Sequence, residues 1–189
     1  CTYRRFWTNA SGVNIQSFED LNKILIKNQK DDWDKFDVVL GEPLIFGKIK
    51  NSKLIKRNFL EVIKKPSVLF KKNSLMDQFR IFHGSFFLKK SLNLLSLENK
   101  NSFEKFLNNY ELNPYNMFIC KNSKILNQFY NEIFPWLFKC EEEFKNVNLS
   151  GYDKTRIYGF LAERYMPYWF KKNFKTTTCP ISTFETNNQ

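Results

Sequence analysis

Apolar and polar residues follow two rhythms along this chain, and the switches between them mark its elements. Residues 2–7 (Thr-Tyr-Arg-Arg-Phe-Trp) read as a strand running into a polar loop at 8–14. Ser17, with Glu19 and Asp20 in the turn behind it, predicts a capped helix over 17–26. After a turn at 31–34, Phe36-Asp-Val-Val-Leu40 is a β-branched run stopped by Gly41 and Pro43, the pattern of a buried strand. Residues 48–58 are lysine-rich and weakly periodic, with one short element over 49–56. The helical period returns over 75–97, broken near His83-Gly84, and again over 102–110 behind a capping Ser102. A short strand follows at 117–120. A long amphipathic helix covers 124–146, with Pro135 as a kink or a new start, and another covers 152–172, interrupted at Pro167. The polar residues 176–189 read as an irregular tail.

Strands alternate with helices, so the expected fold is α/β, one domain over 1–175 followed by the tail. The composition supports a core, with 42% apolar and 17% aromatic residues in 189. There is no run of about 18 apolar residues, hence no predicted membrane-spanning helix, and no signal-peptide pattern at the start. The chain opens at Cys1 in what reads as mid-strand, so upstream sequence is expected.

A net charge of +11 invites a nucleic-acid reading. The kind of base argues against it: only six of the 30 basic residues are arginine, and base-edge reading favours clustered arginines in a recognisable motif. A lysine-rich face suits an anionic lipid leaflet or polyphosphate substrates better. Cys1, Cys120, Cys140 and Cys179 show no paired ligand spacing, and with one histidine they read as reduced thiols of a cytosolic protein rather than a zinc site.

Candidate chemistry gathers near the C-terminal helix. Arg156, Gly159, Phe160 and Glu163 fall at i, i+3, i+4 and i+7 and share one face. Gly159 costs up to about 1 kcal/mol inside a helix, so a neighbour is expected to need the missing side chain. A close backbone beside a carboxylate and a guanidinium suits a sugar or diphosphate. The plain alternative is an Arg156–Glu163 or Glu163–Arg164 ion pair on a core helix. Arg4 and Arg5 point to opposite faces of the first strand, so one of them can reach a pocket at the end of the sheet. Asp32-Trp-Asp34 is an Asp-x-Asp that could hold a divalent metal on a diphosphate, or simply a capped turn. Asp37 is odd inside a strand and either starts it or faces a site. His83 is read as structural, with a general-base role left open. The four tryptophans can stack on sugar rings, although core packing accounts for most of them.

Taken together, Tyr3-Arg-Arg-Phe-Trp7, Phe36-Asp-Val-Val39, Asn116-Met-Phe-Ile119, Trp136-Leu-Phe138 and Arg156-Ile-Tyr-Gly-Phe-Leu-Ala-Glu-Arg164 resemble, in order, the motifs of a bacterial glycosyltransferase family. That family occurs in capsular polysaccharide and O-antigen gene clusters and was long catalogued as a domain of unknown function. Thr2 stands where its members carry a histidine, which removes or moves any role of that imidazole. The resemblance also implies an N-terminal portion upstream of Cys1 that looks like the start of the nucleotide-binding half. A chain without it is expected to fold poorly alone or to bind donor weakly.

The resemblance implies a GT-A-like domain, N-terminally incomplete, that moves a sugar from a nucleotide-sugar donor to a growing glycan or lipid-linked acceptor. Glu163 or Asp37, with His83 in reserve, would serve as acid or base. Arg4, Arg5, Arg156 and Arg164 would contact phosphate or sugar, and Asn116 would be a hydrogen-bonding group at a strand end. Mn²⁺ or Mg²⁺ would be the cofactor if Asp32 and Asp34 hold a metal. The expected location is the cytoplasm, with peripheral contact at the anionic inner face of the inner membrane. The rival readings are a truncated, non-catalytic interaction module and a basic nucleic-acid-binding protein.

Overall fold

The computed structural model of the chain describes residues 3–11, 13, 15, 17–46 and 51–185, apart from a few side chains, Arg4's among them. The strand β1 (Tyr3–Trp7) comes first, and α1 (Phe18–Ile24) follows behind Ser17, whose hydroxyl accepts the Asp20 N–H. The apolar run becomes β2 (Val38–Gly41), buried throughout, and β3 (Leu44–Ile45) follows. The weakly periodic lysine-rich stretch is a longer helix than expected, α2 (Asn51–Lys64), broken at Asn58; residues 49 and 50 of the expected element lie outside the described residues. Gly84 at φ +96 separates α3 (Leu75–His83) from α4 (Ser85–Asn93), as the His83-Gly84 break predicts.

Helix α5 (Leu97–Leu107) begins earlier than expected, because Ser96 rather than Ser102 caps it. The Ser102 hydroxyl instead donates back to the Glu98 carbonyl and meets the Tyr168 hydroxyl at 2.6 Å. After β4 (Glu111–Leu112) and β5 (Phe118–Cys120), α6 (Ser123–Phe144) runs through Pro135 without ending. The last helical region breaks at Arg156 rather than at Pro167, giving α7 (Tyr152–Thr155) and α8 (Ile157–Asn173).

The expected irregular tail is the largest correction. Thr176–Cys179 is β6 and Ile181–Glu185 is β7. β6 lies parallel to β2, β5 lies antiparallel on its other side, and β7 pairs antiparallel with β1 across the length of the chain. The β-branched run Thr176-Thr-Thr178 has the propensity for this. What it lacks locally is a partner, because both partners lie more than a hundred residues upstream. The architecture is therefore mixed α/β, with β2 at the centre of a small three-stranded sheet and helices packed around it.

The core is aromatic. Phe103, fully buried, meets Trp136, Tyr165 and Tyr168 ring to ring, and the Trp136 Nε1–H donates to the Ser91 carbonyl at 2.8 Å. Trp33, Trp136 and Trp169 are buried, which leaves half-buried Trp7 as the tryptophan facing open space. Among the described residues no helix is long and apolar enough to cross a membrane.

Among the described residues Cys140 and Cys179 are buried free thiols and Cys120 is a half-buried one. Burial pushes Cys140 up to about 12, with Glu143 adding to it, and pushes Cys120 up to about 11; the Tyr165 phenol is raised as well, chiefly by burial. The native values lie above that of an unfolded thiol, about 8.5. The thiols' contribution to stability is thus complete below that pH and is lost as pH rises through 11 to 12. The urea midpoint is expected to hold between pH 7 and about 8.5 and to fall above it. Cys140→Ala should be less stable at neutral pH and yet decline less steeply. Parallel declines in the two proteins would remove Cys140 from the account.

Candidate functional site

Parallel strands β2 and β6 finish at the same edge, where Gly41 pairs with Cys179, and β5 starts there because it runs the other way. Open α/β sheets place ligands at this end. The segment Leu112–Met117 crosses it, anchored by buried Asn113, whose Nδ2 donates to the Gly41 carbonyl at 2.6 Å. Two successive residues then take left-handed backbone, Tyr115 at φ 77 and Asn116 at φ 52. Asparagine tolerates that conformation, whereas tyrosine costs about 1–2 kcal/mol there. Non-glycine residues hold such angles when their surroundings over-determine them, and such places cluster at ligand sites.

Glu163 supplies one restraint. Its Oε1 accepts the Tyr115 N–H at 2.7 Å. Arg5, exposed at the middle of β1, supplies the other with its guanidinium 4.0 Å from the centre of the Tyr115 ring. Asn116 closes the turn onto α8, donating through Nδ2 to the Gly159 carbonyl at 3.4 Å. The expectation that a neighbour crowds Gly159 fails: a Cβ built there would meet nothing within 4 Å, so the helix faces open space beside the turn.

Arg164 lies behind the carboxylate. It is buried, with Nη1 3.0 Å from the Phe160 carbonyl and 3.9 Å from Glu163 Oε2, and its guanidinium lies over Phe79 at 5.0 Å. Its buried Nε has no hydrogen-bond partner among the described residues. Burial pulls the guanidinium down to about 10, and the Glu163 carboxylate only partly offsets this. The Glu163–Arg164 ion pair anticipated as the plain alternative is thus present, but long.

His83 is the next link. It is buried between Phe160, stacked at 4.2 Å, and the edge of Phe79 at 4.8 Å. Arg156, exposed at the start of α8, lies 5.6 Å from the Phe160 ring centre. Arg5, Asn116, Arg156, Glu163, Arg164 and His83 therefore form one continuous network, with Phe79, Tyr115 and Phe160 between them. Arg4 pairs with Phe184 through its backbone, and its side chain lies outside what is described.

The aspartates lie elsewhere. Asp37 precedes β2 at the opposite end from Gly41, about 13 Å away at strand rise, and its Oδ2 accepts the Lys175 N–H at 3.0 Å. Asp37 therefore stands just before the strand and holds the chain leading into β6. Asp32 and Asp34 are exposed on a one-turn 3₁₀ helix (Asp31–Lys35), with Asp34 Oδ1 accepting from Gln29 Nε2. Among the described residues no three His, Cys, Asp or Glu side chains stand together to hold a metal. Asp34 and Asp37 line a cleft of about 240 Å³ at their own end of the sheet. The Asp32 carboxylate lies within electrostatic reach of Cys179, the partner of Gly41.

Asn116 also lines a wider cleft of about 640 Å³ whose walls include Trp7, Asn122, Ser123, Leu126 and Tyr130. The sequence reading missed Tyr115, Tyr130 and Ser123. Pro114, which biases its surroundings toward a turn, was the available signal for Tyr115; nothing local marks the other two.

The chain belongs to the family described as Domain of unknown function (DUF4422), whose model matches residues 1–174. No curated protein and no solved structure matches it.

Proposed function

We propose that this protein is a GT-A-like glycosyltransferase that moves a sugar from a nucleotide-sugar donor to a growing capsular or lipopolysaccharide glycan on the cytoplasmic side of the membrane. The observation that carries the reading is the strained Tyr115–Asn116 turn, held by Glu163 and Arg5 at the carboxyl ends of β2 and β6 and opening through Asn116 on the larger cleft. The family match spans every motif on which the resemblance to glycosyltransferases rests.

In this reading Arg5 and Arg156 face the donor diphosphate, and Trp7 and Tyr130 offer aromatic faces to sugar rings in the cleft. The acceptor oxygen forms a bond to the anomeric carbon while the bond from that carbon to the diphosphate oxygen breaks. The electron pair leaves on the diphosphate, where guanidinium charge stabilises it. In an inverting course the hydroxyl proton passes to Glu163. Oε1 is committed to the Tyr115 N–H, so Oε2 is the oxygen that takes it.

The test is thermal melting of this chain, and of a version extended upstream, against a panel of nucleotide sugars with and without Mn²⁺. At 100 times its dissociation constant a donor stabilises the fold by about 2.7 kcal/mol, which is roughly 5–10 °C for a domain of this size. A shift with one donor class supports the reading and names the sugar. No shift in either version overturns it in favour of a non-catalytic interaction module.

A further inference from the structure

The helix α2 is built with its apolar side outward. Asn58 leaves helical geometry at φ −160, and its Oδ1 accepts the Glu61 N–H at 3.3 Å, so it caps a fresh helical piece from Phe59 onward. At about 100° per residue, Phe59, Leu60 and Ile63 share one side of that piece, and Glu61 and Val62 share the other. The usual burial is partly inverted. Val62 packs inward on Val68 and Ile81, while Phe59, Ile63 and Leu60 are 57%, 55% and 67% exposed. The 3₁₀ turn that follows (Pro66–Leu69) ends on Phe70, the most exposed large apolar side chain described, at 77%. Scattered apolar residues are ordinary on a protein surface; four large ones within twelve residues need an occupant.

Charge on the same segment says which occupant. Residues 51–72 carry seven lysines and arginines against one acid, Glu61. That acid is turned inward and buried, with its Oε1 accepting from Ser85 Oγ at 2.7 Å and Lys64 Nζ at 2.9 Å. Lys65 is tied to Asp77 at 2.7 Å. Lys56, Lys71 and Lys72 are exposed and make no ion pair with the described residues. The outward surface thus combines apolar side chains with unneutralised ammonium groups. A protein groove would have to be both greasy and acidic to match it, whereas an anionic bilayer offers both layers at once. A groove adjoins through the Ser85–Glu61 bond, lined by Arg80, Lys89 and Lys100 over Met76, Leu88 and Leu92, and it extends the basic, apolar character.

We propose that residues 56–72 form the surface by which this protein docks on an anionic lipid bilayer. Phe59, Leu60, Ile63 and Phe70 enter the boundary between headgroups and acyl chains. Lys56, Lys71 and Lys72 lie over the lipid phosphates. None of these residues belongs to the candidate site, so docking and sugar transfer stand or fall separately.

Vesicle flotation of the full chain tests it, with phosphatidylglycerol–phosphatidylcholine vesicles against phosphatidylcholine alone, at low and high salt. The protein should float with the anionic vesicles, remain behind with the neutral ones, and be released by salt. Lys71→Glu/Lys72→Glu should weaken binding by at least about tenfold, from the reversal of two surface charges. Phe59→Ser/Phe70→Ser should weaken it comparably while the melting temperature stays unchanged or rises, since both rings are already in water. Equal binding to both vesicle types would overturn the proposal, as would variants that float like the parent. Light scattering supplies the remaining arm: a dimer in the parent that Phe59→Ser/Phe70→Ser converts to a monomer makes this surface a contact between copies, and the proposal falls.

Discussion

Glu163→Gln is expected to lower the proposed glycosyl transfer by about 10²–10⁴-fold, the range lost with a general base, while the Tyr115 turn stays in place. The two parts of this expectation come from different oxygens. Glutamine keeps a carbonyl oxygen for the Tyr115 N–H, so the strained turn and the Asn116 contact with α8 persist. It lacks the carboxylate that receives a proton, and it removes the negative charge 3.9 Å from Arg164 Nη1. Glu163→Ala separates the roles, because it also frees the turn and should cost about 1.5–3 kcal/mol as a charge-assisted hydrogen bond is lost. Transfer by Glu163→Gln within threefold of the parent, measured in a version that binds donor, would assign the carboxylate to holding the turn and nothing more.

Arg164→Met should move activity and stability in opposite directions. The guanidinium is buried, is pulled down to about 10, leaves its Nε unsatisfied and sits 3.9 Å from the carboxylate. Its depressed native value means that the charged form is penalised in the fold at every pH below about 10, including neutrality, and that the penalty is relieved only as pH rises through 10 toward the ordinary arginine value. Methionine keeps the apolar stem against Phe79 and removes the charge. Replacing a buried ion pair by apolar groups is neutral or stabilising by about 1–4 kcal/mol, whereas a carboxylate left dry and alone is costly. Glu163 is part-exposed, 3.9 Å from the guanidinium and still hydrogen-bonded to the Tyr115 N–H, so the melting temperature should hold or rise. Transfer should fall steeply, because the field behind Glu163 and the orientation of its Oε2 are lost. A variant that is both less stable and fully active would make Arg164 an ordinary packing residue.

The family model covers residues 1–174 and so contains the whole corner, but its description assigns no activity. The proposed chemistry therefore rests on the corner itself: a carboxylate, three guanidiniums, a strained turn and a cleft with aromatic walls. Asp37 stands before the far end of β2, held by the Lys175 N–H, so it is not among the groups around Glu163.

By itself the sequence determined the local features: β2 from the β-branched run before Gly41, the Ser17 cap, the break at Gly84, and a helix that carries Gly159, Phe160 and Glu163, with Arg156 just ahead of its first turn. Each depends on neighbours within about one helical turn or one strand, so the order of residues carries enough information. It interrupted the last helix at Pro167 and allowed a new start at Pro135, yet α8 and α6 run through both prolines, because packing against the core outweighs the cost of a missing backbone donor. It could not find β6 and β7, whose pairing energy comes from β2 and β1 at the other end of the chain. Tertiary structure alone decided that Arg5 meets Tyr115, that Tyr115 takes a left-handed backbone held by Glu163, and that Asp37 faces away. Those contacts join residues tens to over a hundred positions apart. No local pattern encodes them, because the free energy that selects them is spread over the whole packed core.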